Sequence, residues 1–293
     1  MHGWASSIVF AWAWSLVPLF AFAFAGPQIV NVLCRLPLSA RLALPVLCAG
    51  PYLLVTLAVS SPRPWWVALY VLLPIFVAIM LWWARQADPQ QLGNWRDFIA
   101  ILGLGLAVDL RWLEPAWPAH TAPISKLILL DSGLYGFLVM RRLTGVGFDL
   151  RLQSSDVRTG LRELLFYAPI AIPLGLGLGF LHLHAQFPRL TVAALAWMFT
   201  FVFIAVPEEV YFRGWMQNLL ERRLGRRWSL GVTALLFGLS HFNKRAAHFN
   251  WRYVVLAALA GIFYGRAWRQ GRRVAASAIT HATVDTVWWL WLG

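Results

Sequence analysis

Long uninterrupted apolar runs divide this chain, and they limit the folds that it can adopt. Most runs are about 17 to 22 residues, enough for a helix to cross a hydrocarbon core about 30 Å thick. Because a backbone in lipid must satisfy its own polar groups, the sequence predicts an all-α, polytopic transmembrane helical bundle of about eight to ten helices. The runs are near residues 4–32, 42–59, 65–84, 98–108, 124–140, 167–184, 190–206, 230–241, 253–268 and 274–291.

Charged residues are scarce and mostly basic. They make up 13% of the chain, about half the fraction of a typical soluble domain, and give a formal net charge of +13. The arginine clusters fall on alternate connections between apolar runs, as the positive-inside rule requires of cytoplasmic loops. The basic balance therefore indicates topology and not nucleic-acid binding. The sequence predicts a multi-pass protein of the cell (inner) membrane, partnered by the lipid bilayer. The clusters are near residues 35–41, 85–96, 141–162, 222–227 and 266–273.

An ionisable side chain inside an apolar membrane helix costs about 2.5 to 3.5 kcal/mol of insertion free energy, so each one is expected to have a structural or functional role. The segment VPEEVYFRGW places Glu208 and Glu209 at the end of an apolar run and Arg213 four residues after Glu209. Residues four apart share a helix face, so we expect Glu209 to pair with Arg213. Glu208 points elsewhere and is left available for chemistry.

Two further helices supply imidazoles. FGLSH puts Phe237 and His241 on one helix face, and HATVD does the same for His281 and Asp285. Counted from the nearest arginine cluster at about 1.5 Å per residue, Glu208, His241 and His281 lie at similar depths. This count requires the helix of Glu208 to continue past Pro207 as a kinked helix. The sequence therefore predicts that one acid and two imidazoles meet within the membrane.

In this order, the three motifs resemble those of the CPBP intramembrane proteases, the glutamate-type family that includes the type II CAAX prenyl endopeptidases. The resemblance covers roughly residues 160–293. We therefore expect a protease core at residues 156–293 and N-terminal transmembrane helices at residues 1–155, whose expected role is substrate recognition. It implies that Glu208 and His241 activate water and that His281 and Asp285 stabilise the oxyanion. Glu209, Arg213 and Phe237 support them.

The expected function is an intramembrane endopeptidase that cuts a membrane-associated protein or peptide near its C-terminus or processing site. We expect its site to open toward the cytoplasmic side and to accept the substrate tail. Two alternatives stay open. Glu208, His241 and His281 are also a set that could ligate a catalytic zinc, although no cofactor is the favoured reading. A non-catalytic membrane carrier or scaffold could use the same residues as a buried ionic network.

Overall fold

The computed structural model describes residues 2–59, 62–118, 120–184, 188–246 and 248–293, with side chains from Ser6 onward. These residues form nine helices and no strands, which confirms the predicted all-α class. The helices are α1 (His2–Arg35), α2 (Leu38–Val59), α3 (Pro64–Ala87), α4 (Trp95–Asp109), α5 (Pro123–Met140), α6 (Ser154–Gly177), α7 (Leu190–Leu239), α8 (Trp251–Gly271) and α9 (274–292).

Five stretches within the described residues are long and apolar enough to cross a membrane. They support an integral membrane protein. The expectation of about ten separate crossings differs from this finding in two ways. The predicted runs near 98–108, 167–184, 253–268 and 274–291 lie wholly or mainly in α4, α6, α8 and α9, which are not among the five stretches, and the runs near 190–206 and 230–241 both lie in α7. The five stretches are Ser6–Arg35, Leu38–Val59, Pro64–Ala87, Pro123–Met140 and Leu190–Leu239.

Helix α7 continues past Pro207, as the depth count required. Wider π-helical turns at Phe201–Ala205 and Val210–Gln217 flank the short α-helical segment that contains the proline. Such turns are a common way to absorb a disrupted backbone bond within a helix. The predicted loop at 222–227 is instead a sharp kink at Gly225, whose φ of 76° and ψ of 172° break the helix. Glycine adopts this left-handed conformation without a steric cost.

The chain divides into two compact units, Met1–Thr144 and Gly145–Gly293. The division that the sequence predicts, after residue 155, lies eleven residues further along the chain. The segment that follows Thr144 packs on the C-terminal unit: the Val274 backbone N–H donates to the Gly147 carbonyl at 2.9 Å. A Cβ at Gly147 would come within 1.8 Å of the Arg272 carbonyl oxygen, so only glycine permits this approach.

Within the C-terminal unit, several arginine–carboxylate pairs lie at one end of the helices. At one end, Arg273 donates to Asp156 at 2.7 Å and Arg269 donates to Glu221 at 2.9 Å. We call this the arginine end; it comprises the beginnings of α6 and α9, the end of α8 and residues 221–227. At the opposite end, the His182 backbone N–H donates to the Leu292 carbonyl at 2.9 Å. This contact brings the segment after α6 against the end of α9.

Candidate active site

The two neighbouring glutamates of α7 have different surroundings. The Glu209 side chain is fully buried, and its Oε2 accepts a hydrogen bond from Arg213 Nε at 2.9 Å. Ser277 donates to the same oxygen from α9. The side chain of Glu208 is 27% exposed. The predicted Glu209–Arg213 pair is therefore present, and Glu208 is the more accessible carboxylate.

The His281 ring lies between three carboxylates. Its Nδ1 is 2.8 Å from Glu209 Oε1, and its Nε2 is 3.4 Å from Asp285 Oδ2 and 3.9 Å from Glu208 Oε2. The ring of Tyr264 stacks on it with centroids 4.6 Å apart. An imidazolium can donate at both nitrogens, so this arrangement favours the cationic form of His281.

His241 has the opposite character because no carboxylate contacts its Nδ1. That nitrogen is 2.8 Å from the Phe237 carbonyl oxygen, which can only accept. We therefore assign the proton to Nδ1, which leaves Nε2 with a free lone pair. The Phe237 ring lies between the two imidazoles, with its centroid 5.0 Å from that of His241 and 5.6 Å from that of His281. The predicted supporting role of Phe237 fits this position.

Both imidazoles and Asp285 line one cavity of the C-terminal unit. It encloses about 710 Å³, including its open part, and its walls are mostly apolar. Such a cavity, with a few converging polar groups, is typical of a substrate-binding site. The remaining walls are formed mainly by apolar side chains from α6, α8 and α9 and by the segment after α6, including Ala171, Phe180, Ala257, Ala260 and Trp288.

The cavity lies toward the end of the unit that is opposite the arginine end. Phe180, Tyr253 and Leu292 line it, and each belongs to the chain segments at that opposite end. Leu164 and Tyr264 line its inner part, further along α6 and α8 toward the arginines. The sequence motifs did not reveal this position because a depth count along single helices does not show where a cavity opens.

Four contacts of the site were not predicted from the sequence. One is between His281 and Glu209. The others are made by Ser277 with Glu209, by Tyr264 with His281, and by Lys244, whose Nζ is 3.8 Å from Glu208 Oε1. Ser277 lies four residues before His281, so its position on the same helix face was a usable signal. The contacts of Tyr264 and Lys244 depend on how helices pack, which spacing along one helix does not encode.

The alternative zinc set does not have the geometry of a metal site. No group of three or more His, Cys, Asp or Glu side chains among the described residues could hold a metal ion. Both nitrogens of His281 face carboxylates, and Nδ1 of His241 is bonded to a backbone carbonyl. A zinc ion here would require these side chains to rearrange.

Comparisons with known proteins agree with the motifs. Residues 189–287 match a protein family described as type II CAAX prenyl endopeptidase Rce1-like. The match covers 99 of the 293 residues, about a third of the chain. The match contains all seven candidate residues and confirms the resemblance, and it supports a protease that sits in a bilayer and acts on membrane-associated protein substrates. No curated protein and no solved structure matched the chain.

Proposed function

We propose that this protein is an intramembrane endopeptidase that hydrolyses a peptide bond near the C-terminus or processing site of a membrane-associated substrate. The observation that carries the proposal is the position of His281, which contacts Glu208, Glu209 and Asp285 and lines the cavity. A purely structural ion pair would not need a partly exposed carboxylate, Asp285, on the wall of an apolar cavity.

Glu208 and His241 activate the attacking water in this mechanism. Glu208 is the accessible carboxylate, and His241 offers a basic Nε2 because its Nδ1 donates to the Phe237 carbonyl. The water oxygen forms a bond to the peptide carbon while one of these bases accepts a water proton. The C–N bond then breaks, and the leaving amine takes up the transferred proton. No covalent enzyme intermediate is required.

His281 stabilises the oxyanion as a cationic hydrogen-bond donor. Asp285 and Glu209 hold its charge and its orientation, and Arg213 and Ser277 in turn fix Glu209. A charged Asp285 would repel an oxyanion in direct contact, so its role is to act through His281. Preorganised charge of this kind is effective because it needs no rearrangement during the reaction.

The position of the cavity supports an opening on the side of the membrane opposite the arginine end. If the arginines are cytoplasmic, as the positive-inside rule expects, substrate tails reach the site from the non-cytoplasmic side of the cell membrane. This differs from the cytoplasmic opening expected from the sequence.

Cysteine labelling tests the proposed side of the opening, in a background with Cys34 and Cys48 replaced by serine. An impermeant maleimide applied to intact cells should label His248→Cys and leave Arg227→Cys unlabelled; the reverse pattern restores the cytoplasmic opening.

The decisive test of catalysis uses Glu208→Gln and His241→Ala with a co-expressed substrate from a neighbouring gene. Both variants should accumulate in the membrane at normal levels and lose processing. Intact processing by both would exclude this mechanism and leave the carrier or scaffold reading.

Metal dependence is tested separately on the purified protein. We expect turnover to survive treatment with a chelator. Inhibition that added zinc reverses would instead support zinc ligation by Glu208, His241 and His281.

A further inference from the structure

Three arginines lie at one end of the N-terminal unit, where α2 begins and where α3 and α5 end. The Tyr135 hydroxyl of α5 donates to the Arg41 carbonyl of α2 at 2.7 Å, which holds the beginning of α2 against α5. The guanidinium of Arg141, directly after α5, donates to the carboxylate of Asp88, directly after α3, at 2.6 Å. These contacts bring together a group that we call the arginine triad: Arg41, Arg85 and Arg142.

No carboxylate of the described residues balances the charge of the triad. The positive charge of Arg85 is repelled by those of the other two members. None of the three forms an ion pair with an aspartate or glutamate within the described part of the chain. Asp88 and Asp97, which lie at the same end of the unit, both pair with Arg141. The fold therefore holds three guanidinium charges together and leaves them without an anion of its own.

Parts of the triad are also removed from water without a replacement hydrogen bond. Arg41, Arg85 and Arg142 are half-buried. Nε and Nη1 of Arg41 and Nε of Arg142 are buried and have no hydrogen-bond partner among the described residues. A buried donor without a partner costs about 1 to 3 kcal/mol, and more when it is charged. Membrane topology does not require this cost, because fully exposed arginines satisfy the positive-inside rule equally well.

The arginine end of the C-terminal unit shows how a fold can supply the anion itself. Glu221 there accepts hydrogen bonds from Arg269 at 2.9 Å and from Arg272 at 2.8 Å, and it lies 3.8 Å from Arg226 Nε. One nearly buried carboxylate thus serves three guanidinium groups. The triad has the same number of cations, and a bound anion would take the place that Glu221 has in the C-terminal unit.

A phosphate group has the chemistry that the triad requires. Its oxygens accept paired N–H bonds from guanidinium groups, and it has enough oxygens to serve several arginines at once. The helices α2, α3 and α5, which carry the triad or end at it, are among the stretches long and apolar enough to cross a membrane. Their ends therefore lie at the depth of lipid headgroups. Basic pockets between transmembrane helices are typical binding sites for such headgroups.

We propose that Arg41, Arg85 and Arg142 bind the phosphate group of an anionic phospholipid, which neutralises the triad and holds α2, α3 and α5 together. The site lies in the N-terminal unit and does not depend on the proposed endopeptidase function. Free inorganic phosphate offers the same chemistry, so the experiment separates the two sources.

The test uses the full-length protein, stripped of lipid in a neutral detergent and placed in nanodiscs of phosphatidylcholine with or without phosphatidylglycerol. Native mass spectrometry counts the phosphatidylglycerol that stays bound, and thermal unfolding measures stability. We expect phosphatidylglycerol to raise the unfolding temperature of the wild type. Arg142→Gln should weaken its binding about tenfold, the effect of one charged hydrogen bond, and Arg85→Gln should act in the same direction.

A matched control is available within the same unit. Arg111 has a φ of 55°, close to the 52° of Arg142, so the same substitution has the same backbone cost at both positions. Arg111 is exposed and follows the end of α4, away from the triad. Arg111→Gln should bind phosphatidylglycerol as the wild type does. An equal loss of binding in this variant would show a general effect of surface charge and would overturn the assignment to the triad.

The stability without anionic lipid separates a binding site from a structural role. In phosphatidylcholine alone, Arg142→Gln should unfold at the wild-type temperature or above it, because the substitution relieves repulsion within the triad. The gain from phosphatidylglycerol should become smaller in this variant. A lower unfolding temperature in phosphatidylcholine, with an unchanged gain from phosphatidylglycerol, would mean that Arg142 only stabilises the fold and would overturn the proposal.

Sodium phosphate identifies the source of the anion. It is added to the lipid-free protein in detergent and compared with sodium chloride of equal ionic strength. We expect no difference between the two salts. Stabilisation by phosphate that Arg142→Gln abolishes, without retention of phosphatidylglycerol, would overturn the lipid assignment in favour of free phosphate. A wild type that neither retains phosphatidylglycerol nor gains stability from either anion overturns the anion site itself.

Discussion

Each of the two units contains a buried arginine paired with carboxylates. In the N-terminal unit, Arg141 is fully buried, with Nε 2.7 Å from Asp97 Oδ1 and Nη2 2.6 Å from Asp88 Oδ2. A third hydrogen bond runs from Nη1 to the Asp88 carbonyl at 2.9 Å. Asp97 also accepts the Asn94 backbone N–H at 2.9 Å, so the same carboxylate caps the start of α4. These contacts join parts of one fold.

The Arg213–Glu209 pair of the C-terminal unit is equally buried, but it differs in its neighbours. An imidazole, His281, contacts the paired carboxylate, and a second, partly exposed carboxylate lies directly before Glu209 in the chain. The comparison shows that burial of an ion pair does not by itself identify a catalytic site. The second cluster differs because its buried Glu209–Arg213 pair contacts His281, which lines a cavity.

The largest expected effect comes from removing the open carboxylate. Glu208→Gln should lower kcat by roughly 10² to 10⁴-fold, the usual contribution of a general base. Thermal stability in detergent should change little because Glu208 is partly exposed. The comparison variant is Asp88→Asn, which should lower stability and leave turnover per folded molecule near the wild-type value. A Glu208→Gln enzyme with a normal kcat would show that Glu208 is not the general base, and the two clusters would then not differ in function.

The next effect concerns the arginines themselves. Arg213→Met and Arg141→Met each leave a buried carboxylate without its cation, at a cost of about 3 to 5 kcal/mol. Both should therefore lower the unfolding temperature. Only Arg213→Met should also reduce kcat in the fraction that remains folded, since Glu209 then no longer holds His281. Equal loss of turnover in both variants would contradict a structural role for the Arg141 cluster.

Asp285→Asn gives a smaller change. The amide keeps the size of the side chain but removes the charge that stabilises cationic His281 across 3.4 Å. We expect kcat to fall about tenfold, equivalent to about 1.4 kcal/mol, with KM nearly unchanged. Steady-state kinetics on one purified substrate measures both. An increase in kcat would mean that the carboxylate opposes the oxyanion.

The smallest effect is expected for Ser277→Ala, which removes one hydrogen bond to Glu209 and should cost about 1 kcal/mol of stability. Ser15 is its counterpart in the N-terminal unit: it is buried and donates to the Ala11 carbonyl at 2.9 Å within its own helix. Ser15→Ala should cost less, because its acceptor is uncharged. Denaturation in detergent compares the two, and a larger loss for Ser15→Ala would speak against an energetic role for Ser277 at the site.

Contacts within one helix were predictable from the sequence. Spacing of four residues placed Glu209 with Arg213 and Phe237 with His241, and both pairs are in contact. The helical class followed from the length of the apolar runs. These successes share a cause, because helical periodicity alone determines which residues lie on one face.

For residues on different helices, the sequence predicted only that they lie at a similar depth in the membrane. The count suggested that Glu208, His241 and His281 meet, but it did not show that Glu209 is the carboxylate nearest to His281. It also did not reveal the approach of Lys244 to Glu208 or of Arg245 to Trp288. These depend on how helices rotate and on an irregular segment, for which the sequence carries no periodic signal.

The break at Gly225 has a consequence for how this enzyme can be assembled. Among the described residues, no atom lies within 4 Å of where a Cβ at Gly225 would be, so this position faces open space. The two glutamates precede Gly225 and both histidines follow it. The relative position of the acid and the bases is therefore maintained by packing against α8 and α9 and not by one continuous helix. Two co-expressed fragments divided at this glycine should reconstitute one working enzyme.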